Sequence, residues 1–271
     1  MLREFPDGAV VHGRCSALPL RLQTAGGLPA LFERLGEDLR GCAVVLDFDK
    51  TVANDPAPGW EPREDPLLAQ VRGGSACVAL LARLHVAGVP LFIATARRSA
   101  DKLQELCAML EARAQLANFC ERGARPAAFE VEQVRSEPLG RSFARVRGTR
   151  IYSGGTDKAP LLAHLAAVEL GGAANRIVFV DDNVFNAFFV LTEAPELISQ
   201  LRPELSCALW SAWWDPSVEQ SRGQMRVFHD SDFSFDAAYH DCLAAFGVDE
   251  RERVRTAGIL AAKALLNADH L

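Results

Sequence analysis

Three apolar runs along the chain stop abruptly at polar side chains. Val44-Val45-Leu46 ends in Asp47-Phe48-Asp49, Leu91-Phe92-Ile93-Ala94 ends in Thr95, and Ile177-Val178-Phe179-Val180 ends in Asp181-Asp182. Runs this short and this apolar predict strands buried on both faces of a sheet. Helical spacing fills the intervals. Leu28, Leu31, Phe32, Leu35 and Leu39 precede the first run, and Leu80, Leu81 and Leu84 precede the second, in a helix that should stop near Gly88 and Pro90. Leu103, Leu106, Cys107 and Leu110 follow it behind Ser99 as a cap, while Leu161, Leu162, Leu165 and Val168 lead into the third. Beyond that, Asn183 can cap a helix carrying Phe185, Phe188, Phe189 and Leu191, and Cys207 to Trp214 reads as a further strand. Alternating strands and helices predict an α/β fold with helices on both faces of a mostly parallel sheet.

Residues 1–42 read as an irregular lead-in and a packing helix, and residues 43–271 as one larger domain. Within it, 52–66 contains four prolines and predicts a flap. That flap would carry Trp60 over the strand ends, either to anchor the loop or to contact a ligand. Phe129, Val131, Gln133 and Phe143, Arg145, Arg147 alternate around Glu-Pro-Leu-Gly, so a small insert at about 120–152 should contain a β-hairpin. Between 135 and 150, Arg135, Arg141, Arg145, Arg147 and Arg150 face a single acid, Glu137. Such a ribbon either attracts a phosphorylated substrate or forms the charged face of an edge hairpin. Helical spacing returns with Phe235, Cys242, Leu243 and Phe246, and again with Val254, Ala257, Ala261 and Leu265.

The polar residues that end the runs carry the chemistry. In open α/β sheets the strand ends converge on a crevice at the carboxyl edge, so Asp47, Asp49, Thr95, Asp181 and Asp182 are placed to line one site. Alternation along an extended chain would send Asp47 and Asp49 the same way and turn Phe48 back into packing. Crowded carboxylates repel unless a cation lies among them, and hard oxygens suit Mg²⁺. Lys158 opens a helical stretch after Thr156-Asp157, and Asn186, one turn into its helix, is placed to steady the acidic pair. Arg97 and Arg98 either contact an anionic substrate or simply begin a helix, and His85 is assigned no chemistry.

Composition narrows the classes. The 271 residues are 49% hydrophobic with a formal charge of −6, and the pI is near 5.6, which gives no global electrostatic case for nucleic acid or an anionic membrane. Seven cysteines without a Cys-x-x-Cys pair argue against zinc and against a disulfide framework, and point to a reducing compartment. The first residues lack the apolar stretch of a signal peptide, and no run approaches the roughly 20 apolar residues of a membrane span. A cytoplasmic protein is the expectation, without a signal of oligomeric state.

The ordered set Asp47-x-Asp49-x-Thr51-Val52, Thr95 after its apolar run, Lys158, then Asp181-Asp182 resembles the four motifs of the haloacid dehalogenase (HAD) superfamily, over residues 43 to 190. The segments 151–158 and 177–186 resemble a poorly characterised bacterial branch of it. The resemblance implies a Rossmann-like three-layer α/β/α sandwich, here with a small inserted hairpin, and a Mg²⁺-dependent phosphatase. It further implies Asp47 as nucleophile and Asp49 as general acid and base. Thr95 and Lys158 would bind the phosphoryl group, and the metal would sit among Asp47, Asp49 (through its main-chain carbonyl), Asp181 and Asp182. The partner would be a phosphorylated small molecule or protein, since the short flap and the hairpin leave both open. A receiver-like phosphoacceptor and a catalytically silent binding module of the same fold are the alternatives, although receivers place their lysine last, whereas Lys158 precedes Asp181.

Overall fold

The computed structural model describes residues 3–4, 10–11, 27–35, 39, 41–53, 71–121, 127–214 and 225–229. Trp60, most of the flap and the two helical stretches beyond 230 lie outside the described residues. Chain order runs β1 (Arg3–Glu4), β2 (Val10–Val11), α1 (Gly27–Leu35), β3 (Cys42–Leu46), α2 (Gly74–Val86), β4 (Leu91–Thr95) and α3 (Ala100–Ala112). It continues with β5 (Val131–Ser136), β6 (Arg141–Val146), β7 (Ile151–Ser153), α4 (Ala159–His164), β8 (Arg176–Asp181), α5 (Val184–Leu201), β9 (Ala208–Trp214) and β10 (Met225–His229).

The three apolar runs are the central strands β3, β4 and β8, and they are buried on both faces. Val44, Leu46, Leu91, Ile93, Val178 and Val180 join one core with Leu28, Leu81 and Leu103 from α1, α2 and α3. The alternate residues Ala43, Val45, Phe92, Ala94, Ile177 and Phe179 join a second core with Leu161 and Phe188 from α4 and α5. The sheet is therefore the middle layer of an α/β/α sandwich, and each fully buried Leu or Phe on either side contributes roughly 1.5–3 kcal/mol.

The eight-stranded sheet has the order β10-β9-β8-β3-β4-β7-β6-β5. Neighbours from β9 to β7 are parallel, and the two flanks are antiparallel. β1 and β2 form a separate two-stranded ribbon. From β3 the chain builds outward through β4 and β7 on one side, and later through β8 and β9 on the other. The carboxyl ends of β3, β4 and β8 thus flank a point where the winding reverses, the usual place for a crevice in such sheets.

Local signals in the sequence reappear as contacts. Ser99 caps α3, its Oγ accepting from Lys102 N at 3.3 Å, and Asn183 caps α5, its Oδ1 accepting from Phe185 N at 2.9 Å. The expected hairpin is β5–β6, closed through Glu137–Leu139 with Gly140 at φ 57. It does not stand off as an appendage, because β6 pairs with β7 and continues the main sheet.

Two expectations of helical phase fail for definite reasons. Leu39 packs against the first core but lies after the end of α1 at Leu35. Val168 is 54% exposed, since α4 passes into a π-helical turn over Leu165–Glu169. The wider turn shifts the register and buries Ala166 and Ala167 instead.

The basic ribbon lies on the edge hairpin β5–β6 and the segment that leads into β7. Three of its arginines meet acids, and four of those five acids come from outside the 135–150 window. Arg145 pairs with Glu121, Glu132 and Glu169, Arg147 with Glu130, and Arg135 with Glu137.

Candidate active site

β3 and β8 run in register from Cys42 opposite Arg176 to Leu46 opposite Val180, so the next residues on each strand are Asp47 and Asp181. Asp47 N donates to Val180 O at 2.8 Å, which carries the pairing one step past β3. Asp47 and Asp181 are buried, 7% and 0% exposed. With Asp182 they offer three carboxylate oxygens within 4.8 Å of one another.

Each acid has a defined neighbour. Asp47 Oδ1 accepts from Lys158 Nζ at 2.9 Å, and the same ammonium donates to Ala94 O at the end of β4. Asp181 Oδ1 accepts from Asn183 N at 2.7 Å, and its Oδ2 accepts from Asn186 Nδ2 at 3.0 Å, so Asn186 steadies Asp181 as its spacing suggested. The main chain of Asp182 is held from β9, where Trp213 Nε1 donates to Asp182 O at 2.9 Å. Sequence reasoning placed Trp213 only within a strand.

Asp49 is placed differently. The chain leaves the extended conformation at Phe48, whose carbonyl accepts from the N–H groups of Thr51, Val52 and Ala53, and Lys50 adopts φ 63. Alternation therefore does not carry Asp49 alongside Asp47, and its carboxylate lies outside the three-acid group. It is half exposed and held by Arg97, with Nη2 at 2.6 Å from Oδ1 and Nε at 3.0 Å from Oδ2. Thr95 closes β4, fully buried, its Oγ1 accepting from Arg97 N at 3.2 Å.

Arg72, which the sequence reading passed over, is another cation of this region. It is buried, lies 3.9 Å over the Trp214 ring, and donates to Lys50 O at 2.7 Å and Trp214 O at 3.0 Å. An isolated arginine behind a proline-rich segment carries no periodic signal by which to find it.

The electrostatics follow from burial. Desolvation pushes the Asp47 carboxyl above its ordinary range, opposed by the charge and hydrogen bond of Lys158. Asp181 is driven well above that range by burial first and by repulsion from Asp47 second, with Lys158 again opposing. Asp182 is raised to about 7 by burial and by Asp47, against the pull of Lys50 and Arg72. Lys158, Lys50 and Arg72 offset the crowding only in part, and all three acids stay raised.

A hard divalent cation fits this donor set. Mg²⁺ with bonds of about 2.0–2.1 Å holds its oxygens up to roughly 4.2 Å apart, so small side-chain rotations bring these three into range. Bidentate capture by Arg97 turns the Asp49 carboxylate away from that role.

Comparison with known proteins finds no matching family model, no matching curated protein and no matching solved structure.

Proposed function

We propose that this chain is a Mg²⁺-dependent phosphomonoester hydrolase that works through an aspartyl-phosphate on Asp47. The observation that carries the reading is the Asp47–Asp181–Asp182 group at the carboxyl ends of β3 and β8, with Asp47 and Asp181 buried and Lys158 bound to Asp47 Oδ1. When bound, the metal would neutralise charge on the transferring phosphoryl group and on the attacking carboxylate.

The residues divide the work as follows. A carboxylate oxygen of Asp47 forms a bond to phosphorus as the ester P–O bond breaks, and the leaving alcohol takes a proton from Asp49. Water then attacks the phosphorus, gives its proton to Asp49, and releases Asp47 as a free carboxylate. Lys158 orients Asp47 and offsets charge on the phosphoryl oxygens, while the Thr95 hydroxyl, level with it at the end of β4, is their second donor. Asn186 and Asn183 fix Asp181 so that it need not reorganise.

One observation favours a second reading, a receiver-like phosphoacceptor with little turnover. Asp49 is engaged by Arg97, and an acid held this way must be released before it can serve the second step. Phosphate release from an aryl phosphate, with and without Mg²⁺, tests the pair. Steady metal-dependent turnover supports the hydrolase. A single slow phosphorylation of Asp47 that persists favours the phosphoacceptor, and neither event under any condition rejects both.

A further inference from the structure

The five arginines of the hairpin region do not share one fate. Arg135, Arg145 and Arg147 have acid partners, and Arg150 lies over the Phe92 ring. Arg141 has no acid partner among the described residues. Neither has Arg98, which enters from the loop after β4. Both line one cavity of about 340 Å³, together with Gln133, Ser153, Gly155 and Asp157.

The position of this cavity relates it to the strand-end crevice. Ser153 pairs with Thr95 on one side and with Ala144 on the other, so the cavity opens one strand away from Thr95. Its wall continues into the Gly154–Asp157 loop that delivers Lys158. Gly155 adopts φ 80, and a Cβ there would come within 2.5 Å of Arg98 Nη2, so the missing side chain lets the guanidinium lie against the loop. Asp157 is the single acid on the wall against two guanidinium groups.

We infer that this cavity binds a second anionic group on the substrate, and that the substrate is a small phosphate ester carrying a carboxylate or a second phosphate. The inference rests on the phosphatase reading of the neighbouring crevice. Guanidinium groups present forked donors that match both anions, while the Gln133 amide and the Ser153 hydroxyl add neutral hydrogen bonds that orient the ligand. A volume of this size suits a metabolite rather than a folded partner. Arg98 and Arg141 would then set specificity, leaving bond cleavage to Asp47 and Asp49.

The test compares esters that differ by one anion. With Mg²⁺ present, kcat/KM is measured for 3-phosphoglycerate against glycerol 3-phosphate, and for fructose 1,6-bisphosphate against fructose 6-phosphate. The wild-type protein should favour the more anionic member of at least one pair by about tenfold or more. Arg98→Gln and Arg141→Gln should each lower that ratio, and the double variant should bring it near unity, with thermal melts confirming that each variant folds. A ratio near unity in wild type for both pairs, or one that survives the double substitution, overturns the inference.

Binding keeps this separate from the hydrolase itself. Calorimetry with Asp47→Asn protein should show that the favoured ester binds more weakly once both arginines are replaced. Arginine-dependent binding in a protein whose wild type cleaves no phosphate ester would retain the cavity and reject the hydrolase. Turnover without any arginine dependence would do the reverse.

Discussion

At the carboxyl ends of β3 and β8, Asp47, Asp181 and Asp182 gather beside Lys158. On the antiparallel flank, Glu121, Glu132 and Glu169 gather around Arg145. The numbers of charges match, yet the consequences are opposite. Arg145 spreads its guanidinium over all three acids, with Nη2 at 2.5 Å from Glu121 and Nε at 3.1 Å from Glu132, and Nη1 also meets the Tyr152 hydroxyl at 3.1 Å. Glu121 and Glu132 stand more than a third exposed, so water shares the load. Glu169 is held below the usual range, first by the buried His164 imidazole 3.6 Å away, then by Tyr152 and Arg145, against the penalty of burial. Lys158 reaches one carboxylate and a main-chain carbonyl. On the flank a spread guanidinium and partial exposure leave Glu169 below its usual range, whereas at the strand ends burial and mutual repulsion raise all three acids. That shared rise is the physical reason for proposing a divalent cation at the strand ends.

The sharpest way to break this contrast is to change the proposed nucleophile. Asp47→Asn should lower phosphate release by about 10³-fold or more while the protein remains folded by circular dichroism. Turnover at the wild-type rate would remove Asp47 from the mechanism.

Next in size is the response to Mg²⁺ and pH. The folded-state carboxyls of Asp47, Asp181 and Asp182 are raised, the last from 3.8 to about 7, so the folded chain holds more protons than the unfolded chain between those values. Stability contributed by these groups is present below pH 4 and declines as pH rises toward 7. Metal binding needs the protons gone. Saturating Mg²⁺ should therefore raise Tm at pH 8 by an amount equivalent to about 2–3 kcal/mol at a hundredfold excess over Kd, and should do little at pH 5. A gain that is equal at both pH values would contradict the shared rise.

A smaller effect should follow from Asp182→Asn, which removes one repelling charge. Metal-free Tm at pH 8 should rise by roughly 2–4 °C, the equivalent of about 1 kcal/mol, while the Mg²⁺ response shrinks. On the flank, Glu132→Gln should cost only a few tenths of a kcal/mol, because Glu132 is partly exposed and water screens the pair, and should leave the Mg²⁺ response unchanged. A larger loss there would show that the flank depends on its charges as much as the crevice does.

The sequence announced the layers of this fold because burial on two faces writes itself as an unbroken apolar run. Val44 to Leu46, Leu91 to Ala94 and Ile177 to Val180 could hardly be anything but central strands, and parallel strands bring their ends together. The convergence of Asp47, Thr95, Asp181 and Asp182 was legible for that reason, whereas Lys158 lies just before α4 and was singled out by its motif. Asp49 was half legible, since its position was clear while its orientation depends on a turn centred on Lys50 in a left-handed conformation. The partners of Arg145 were hidden, because Glu121 and Glu169 lie far from it in sequence and meet it only through the sheet. The π-helical turn was invisible, as a single extra residue in a helix leaves the apolar spacing nearly intact until Val168 comes out on the wrong side.

The bond from Trp213 Nε1 to the carbonyl of Asp182 gives the crevice a built-in optical reporter. An indole tethered to the strand end that bears the acids feels their electric field, and its emission wavelength will move as that field is cancelled. Addition of Mg²⁺ is thus expected to shift the part of the intrinsic emission that a Trp213→Phe variant loses, read against the other three tryptophans.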